Sequence, residues 1–322
     1  MKRRLIKGTD LIVSRLCYGT ATFGADVRGK KVDACINAFR DAGGNFLDTA
    51  HCYAYWLPYG AAGCSECALG DYIRRNGKGD LVIGTKGGHT GAPGYRRTDH
   101  WLSASRVEAD IDDSLGRLGL ETLDLFWLHR DDTRVPAAAI VEMLNREIER
   151  GRIRHLGASN WRIGRIAEAN DYAARHGLQG FVASQQEWNL ASKNSPNPDP
   201  HKDASHGAEM LFLEESDVAW HRQSGLTVIP YTATACGYFA TGGRKARAAY
   251  DNPVSRNRLA RTQTLARELQ ATAGQIALAW LLNQRFPVFP IIGTHSLQHL
   301  REAVAAAGIR LTLKQMASLL EG

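Results

Sequence analysis

Four side chains with complementary acid–base chemistry punctuate the first half of the chain. Asp48 and Tyr53 lie in Asp48-Thr49-Ala50-His51-Cys52-Tyr53, Lys86 closes Gly84-Thr85-Lys86, and His129 closes Phe126-Trp127-Leu128-His129. A free phenol has a pKa near 10, too high for efficient proton transfer at neutral pH. A neighbouring ammonium lowers it, and Lys86 is placed to supply that charge. Asp48 can pair with Lys86 and hold it. His129 can donate a hydrogen bond to an oxygen on which negative charge develops. Taken singly, each has an ordinary structural role: Asp48 as a turn cap, Lys86 as a solvated tip, His129 as a satisfied rim histidine. Their shared position, each just after a short apolar run, sets them apart.

Those runs are the elements that must bring the four together. Short β-branched and aromatic segments alternate with longer helical patterns. Strands are expected at Leu16–Thr20, Asn45–Thr49, Leu81–Thr85, Leu123–Leu128, Ile153–Gly157, Phe181–Ser184, Thr227–Tyr231 and Val288–Ile292. Helices are expected at Lys31–Asp41, Glu66–Arg75, Ser103–Leu118, Pro136–Arg150, Ile163–Arg175, Asp217–Gln223, Gln275–Asn283 and Leu297–Ala306. The strands are apolar on both faces, as in a buried parallel sheet. Eight strand–helix units favour a closed (β/α)8 (TIM) barrel over an open doubly wound sheet, and catalytic residues of such barrels sit where strands end. No Pro/Gly/Ser-rich linker divides the chain, so residues 1–322 are expected to form one domain. Arg4–Ile6 and Leu11–Val13 flank Gly8-Thr9-Asp10 and read as an N-terminal β-hairpin capping the bottom of the barrel. Leu190–Glu215 lacks periodicity and reads as a long functional or mobile loop. Thr232–Leu265 is a second extra stretch, and Leu313–Leu320 a short closing helix.

Composition narrows the classes. The chain has 322 residues, 44% of them hydrophobic and 23% charged, with a net charge of +7. These are globular values. No apolar run is long enough to cross a membrane, and the basic start Met1-Lys2-Arg3-Arg4 lacks the apolar core of a signal peptide. Six scattered cysteines read as reduced thiols, so a cytoplasmic location is expected. The positive charge is dispersed, which speaks against nucleic acid and is compatible with a phosphorylated cofactor. Cys64-Ser65-Glu66-Cys67 has no second pair or spaced histidines, so zinc is not expected. It lies where Ser65 can cap a helix. His201 and His206, with Asp199 and Asp203, read as solvated loop residues.

In its ordered set of motifs the chain resembles the aldo-keto reductase superfamily over essentially its whole length. Asp48, Tyr53, Lys86 and His129 match that family's Asp-Tyr-Lys-His tetrad in order and spacing. The hairpin, Ser65-Glu66 with Leu69-Gly70, Gly157-Ala158-Ser159-Asn160, Gln185-Gln186-Glu187-Trp188-Asn189, Tyr231 and Gln275-Ile276-Ala277-Leu278-Ala279-Trp280 add to the likeness. The resemblance implies NAD(P)-dependent transfer of a hydride between nicotinamide and a carbonyl or alcohol, with Tyr53 as general acid/base. A histidine rather than a glutamate at 129 argues against the family's steroid double-bond reductases.

The resemblance also implies a cofactor site across the top of the barrel; there is no Gly-x-Gly-x-x-Gly unit to support a Rossmann site. Gly19 and Thr20 match the backbone beside the nicotinamide. Ser159, Asn160 and Gln185 match the residues that hold its carboxamide, and Tyr231 the aromatic that stacks on its ring. Asn160 can equally cap the helix expected at Trp161. Thr232-Ala233-Thr234-Ala235-Cys236-Gly237 departs from the family's usual Ser-Pro-Leu and then Gly, with Thr232 and Gly237 left to face the pyrophosphate. Gly293, His295, His299 and Glu302 fall at the adenosine end, where a helix N-terminus suits a phosphate. The family often has Lys or Arg there, and bidentate arginine recognition is missing, although Arg301 is near. NADP is the expected cofactor, with NAD as the alternative. No metal is expected.

The substrate is expected to be a small carbonyl or sugar-like molecule. The aromatic insertion Ala54-Tyr55-Trp56-Leu57-Pro58-Tyr59-Gly60-Ala61-Ala62 follows Tyr53, and Trp127, Trp161 and Trp188 fall at strand ends, where aromatic faces suit polyols or apolar aldehydes. A cofactor-sensing regulatory subunit on the same fold, like the β subunits of potassium channels, is the alternative. A metal-dependent barrel hydrolase finds too few clustered ligands at strand ends.

Overall fold

Strands that are apolar on both faces must be covered on both, and the eight expected runs pair into one parallel sheet. The computed structural model describes residues 1–92, 95–97, 100–199 and 205–321. The strands are β1 (Cys17–Gly19), β2 (Phe46–Asp48), β3 (Val82–Gly87), β4 (Leu123–Leu128), β5 (Ile153–Ser159), β6 (Phe181–Gln185), β7 (Thr227–Val228) and β8 (Ile291–Ile292). Each from β1 to β7 lies beside the next, and β8 pairs with β1. The ring closes through a parallel bridge between Val228 and Val288. The expected seventh and eighth strands are shortened because Pro230, Pro287 and Pro290 have no N–H to give a ladder. Their carbonyls still accept, from Ile291, Val228 and Cys17 respectively.

Helices α1 (Lys30–Asp41), α2 (Cys64–Asn76), α3 (Ala104–Leu118), α4 (Ala137–Glu149), α5 (Ile163–Arg175), α6 (Glu215–Ser224), α7 (Ala273–Leu282) and α8 (Leu297–Ala306) cover the outside. They follow β1 to β8 as the (β/α)8 pattern requires, with further helices inserted between β7 and α7. The Thr232–Leu265 stretch holds a helix at Arg247–Tyr250 and most of another at Pro253–Glu268. The second carries its own start signal: Asn252 accepts from Ser255 N at 2.8 Å, with proline at the first helical position.

Two cores result. The larger lies between sheet and helices. The smaller fills the barrel with Cys17, Phe46, Val82, Leu125, Trp127, Ala183, Ile229, Phe289 and Ile291, closed below by Ile6, Leu11 and Val13 of the hairpin. The hairpin strands, Arg3–Leu5 and Ile12–Ser14, pair antiparallel as expected, one residue from the expected bounds. Trp127 is fully buried inside the barrel, and Gly84 and Gly157 on the flanking strands make its room: a Cβ on Gly157 would stand 2.2 Å from the indole. Trp161 and Trp188 are also core residues, at 0% and 4% exposure. The three tryptophans are therefore packing residues and not the rim faces expected for a ligand.

Candidate active site

The ends of β2 and β3 build the centre. Asp48 pairs with Gly84 in register, and Lys86, two residues further along β3, points to the same face. Lys86 Nζ donates to Asp48 Oδ2 at 2.6 Å, to Thr49 O at 2.8 Å and to Tyr53 Oη at 2.9 Å. All three ammonium donors are thus satisfied in a fully enclosed position. Tyr53 Oη in turn donates to Asp48 Oδ2 at 3.3 Å, and Gln185 Nε2 donates to Asp48 Oδ1 at 2.9 Å. One carboxylate therefore anchors strands 2, 3 and 6 of the ring.

The electrostatics differ from the expectation in one respect. Burial, followed by the charge of Asp48, raises the Tyr53 phenol well above its ordinary range. Lys86 is itself lowered, mainly by burial, with Asp48 opposing. Lys86 therefore does not bring the resting phenol down. The Asp48 carboxylate offsets its charge, and Tyr53 stays protonated while an ammonium waits on its oxygen.

His129 stands beside this group, its ring 5.8 Å from that of Tyr53 in an edge-on arrangement. Burial and then Arg130 hold it well below its usual pKa, so it is a neutral imidazole. Its Nδ1 lies 3.5 Å from Cys52 Sγ, a thiol that burial pushes up to about 12. Nε2 has no partner among the described residues. His89 packs against His129 with ring centroids 5.0 Å apart and is lowered to about 4, chiefly by burial. Tyr55 and Trp56 extend this wall, Trp56 meeting both Tyr53 and Tyr55 edge-on.

A second polar group occupies the ends of β5 and β6. Ser159 Oγ donates to Gln185 O at 2.9 Å. Asn160 Nδ2 donates to Ser159 Oγ at 3.0 Å and to His129 O at 3.3 Å, while its Oδ1 accepts from Tyr231 Oη at 2.7 Å and Leu211 N at 3.0 Å. Asn160 holds φ at 57°, a left-handed conformation that asparagine tolerates better than most. It does not cap a helix: α5 starts two residues beyond Trp161, with Arg162 at the cap. Beyond Tyr231, Thr232, Ala235 and Cys236 also have positive φ, near 50°. For a β-branched threonine this marks a strained turn of the sort found at functional sites.

Gly19 is half-buried and Thr20 buried at the end of β1, and Thr20 Oγ1 donates to Asp48 O at 2.9 Å. Ser65 does not cap α2, whose N-cap is Gly63. Its hydroxyl lies 2.8 Å from those of Thr20 and Thr49 and donates to Thr20 O, tying the ends of β1 and β2 together. Gly237 lies partly open after the strained turn. Gly293, His295 and His299 are exposed before and within the first turn of α8, with Glu302 half-buried one turn on. The structure thus gathers Asp48, Tyr53, Lys86, His129, Ser159, Asn160, Gln185 and Tyr231, while Gly293, His295, His299 and Glu302 form a separate outer group.

Two loops that sequence left open are pinned together. Glu187 accepts from Lys193 Nζ at 2.6 Å and from Tyr250 Oη. Asn194 donates to the carbonyl of Ala248 at 2.8 Å. His201 and Asp203 lie outside the described residues. Among the described residues no three His, Cys, Asp or Glu side chains converge as a metal ligand set, and no helix is long and apolar enough to cross a membrane. Sequence reasoning missed Gln185 as the second anchor of Asp48, and it missed Cys52, His89 and Arg130. The only sequence signal for these three was adjacency to Tyr53, Lys86 and His129.

This eight-stranded barrel, with its ring of acid–base groups at the strand ends, is the architecture of a family of oxidoreductases. The model of the aldo/keto reductase family matches residues 15–321, and the chain belongs to that family. It is 28% identical to norsolorinic acid reductase B of Aspergillus parasiticus, over 96% of this chain and 81% of that protein. It is 27% identical to the oxidoreductase YrpG of Bacillus subtilis, over 94% and 90% of the two chains. A probable aldo-keto reductase 1 of Glycine max is 26% identical over 96% and 85%.

Proposed function

We propose that residues 1–322 work as one barrel unit that reduces a small carbonyl compound with NADP(H), or runs the reverse oxidation of an alcohol, with Tyr53 as the general acid/base. The observation that carries this reading is the Asp48–Lys86–Tyr53 group, closed by contacts of 2.6 and 2.9 Å from one buried ammonium. Tyr53, kept as a phenol, gives its proton to the substrate oxygen. Lys86, already hydrogen-bonded to the phenolic oxygen, receives the charge left there. Asp48 holds Lys86, and Gln185 holds Asp48. His129, being neutral and occupied at Nδ1, serves the substrate oxygen through Nε2, which places the developing negative charge between two donors.

The donor set fits a nicotinamide dinucleotide. A carboxamide needs paired donors and acceptors: Gln185 keeps one N–H and its Oε1 for it beside the bond to Asp48, and Ser159 and Asn160 would meet it by exchanging the bonds they make to Gln185 O, Tyr231 and Leu211. Tyr231 offers a ring face beside them, and Gly19 and Thr20 lie on the opposite strand. When bound, the nicotinamide supplies or accepts the hydride. The turn from Thr232 to Gly237 is read as facing the pyrophosphate. The end near Gly293, His295, His299 and Glu302, at the start of α8, is read as phosphate-bearing. The relatives' names, a reductase and an oxidoreductase among them, support the class of reaction. Cytoplasmic action, inferred from the cysteine pattern, belongs to the same proposal.

The substrate we propose is a ring-bearing carbonyl or hydroxyl compound, sugar-like in shape. With the three tryptophans in the core, its support is the wall of Tyr55, Trp56 and His89. Turnover of keto-sugars, aldoses and aromatic aldehydes with NADPH and NADH tests both parts. Activity with NADPH is expected, with tighter binding of NADPH than of NADH. No turnover of any carbonyl would instead support the cofactor-sensing subunit.

A further inference from the structure

Arg130 follows His129 and is 92% enclosed, with 8% of its surface exposed. Buried arginines are ordinarily paired with a carboxylate, because an unpaired charge out of water is costly. Arg130 is not. Nη1 donates to the carbonyl of His129 at 2.7 Å, and its remaining N–H groups have no acceptor among the described residues. The acids around the site are engaged elsewhere. Asp131 binds Arg165 at 3.2 Å, Asp132 binds Arg134 at 2.7 Å, Asp110 binds Arg97, and Glu187 binds Lys193 at 2.6 Å. Asp48 is taken by Lys86. Arg130 is nevertheless central, since its charge acts on His89, His129, Cys52, Tyr53 and Tyr231.

We propose that Arg130 receives an anionic group, a carboxylate or phosphate, carried by the substrate at the end away from its carbonyl. This rests on the reductase reading above. The planar guanidinium suits bidentate capture of such a group. The side of the site favours the substrate over the cofactor as its source. Arg130 directly follows His129 at the end of β4 and acts on His89 and Tyr53; its charge also reaches Tyr231, but the proposed pyrophosphate turn itself lies beyond that residue, after β7.

The test compares 4-carboxybenzaldehyde with methyl 4-formylbenzoate, which differ in charge and little in shape. In the wild type, kcat/KM for the acid should exceed that for the ester by about tenfold or more, the size of one charge-assisted pair. Arg130→Gln should abolish that preference through KM for the acid, and Arg130→Lys should keep part of it. Equal kcat/KM for acid and ester in the wild type overturns the proposal. So does an Arg130→Gln variant that weakens NADPH binding while keeping the acid preference, which would assign the arginine to the cofactor's phosphates. Should Arg130→Gln not fold, calorimetry on the wild type with NADP+ decides: benzoate is expected to bind about tenfold tighter than benzamide, and equal affinity overturns the site. If neither aldehyde turns over, the wider carbonyl panel judges the reductase reading, and the benzoate–benzamide pair judges the anion site by itself, equal affinity overturning it.

Discussion

Tyr53→Phe separates chemistry from architecture because of how the phenol is held. The substitution keeps the ring, and with it the edge-on contacts to Trp56 and His129, both at 5.8 Å. It removes the acceptor of one Lys86 bond at 2.9 Å and the donor of one long bond to Asp48 at 3.3 Å. Lys86 retains Asp48 and Thr49 O, and Asp48 retains Lys86 and Gln185. No buried charge is orphaned, so the stability cost should be about 1 kcal/mol. The chemical cost is larger: a positioned general acid contributes about 10²- to 10⁴-fold, or roughly 3–5.5 kcal/mol of barrier. In steady-state assays following NADPH consumption, kcat should fall by that factor. Thermal unfolding should shift by only about 1–3 °C, as expected for a cost of this size in a chain this long. NADPH affinity, read by fluorescence quenching, should stay near the wild-type value. A variant that retains a third or more of wild-type kcat, or that loses NADPH binding in parallel with activity, would refute the assignment.

Lys86→Met should behave in the opposite way, since it leaves the Asp48 carboxylate buried without its cation. A loss of about 3–5 kcal/mol is expected by urea unfolding, and the double variant with Asp48→Asn should be more stable than Lys86→Met alone. Gly157→Ala drives a methyl to within 2.2 Å of the Trp127 indole. It should lower stability by about 1–3 kcal/mol, with Trp127→Phe in the same chain restoring part of the loss. His221 is buried between Ser184 and the carbonyl of Leu226 and is lowered from 6.5 to about 4, mainly by burial. The unfolded chain therefore takes up a proton that the native one refuses as pH falls through 6.5. The share of His221 in the stability lost between there and pH 4 should be about 3 kcal/mol, added to those of His89 and His129, and His221→Asn should reduce the slope by that share in urea midpoints measured across the interval.

Much of the barrel is written locally. Each strand is a short β-branched or aromatic run and each helix a 3.6-residue pattern, so order and type follow from periodicity alone. Asp48, Tyr53, Lys86 and His129 were legible because they follow such runs directly. The Asn252-Pro253 helix start was also present in the sequence, and its neighbour at Arg247–Tyr250, four residues long, has too few turns for a period to show. Shortened strands at Pro230 and Pro290 are likewise readable in hindsight from the missing N–H.

The rest depends on which strand lies against which. Trp127 resembles a rim residue in sequence, and becomes core only because Gly84 and Gly157 flank it across the sheet. Ser65 reads as a helix cap until Thr20 and Thr49 arrive beside it from β1 and β2. Lys86 near Tyr53 implies a lowered phenol until burial and Asp48 are added, and the balance then reverses. Arg130 is one of 40 Lys and Arg residues in composition. Its lack of a carboxylate emerges only when Asp131 and Asp132 are seen to turn to Arg165 and Arg134. The order of elements and the chemistry available at each strand end are local in the chain, and so can be read along it. Which charges are buried, which are paired with a carboxylate and which, like Arg130, are left with carbonyls follows from the packing of distant segments, because desolvation and Coulomb energy depend on distances that no local pattern encodes.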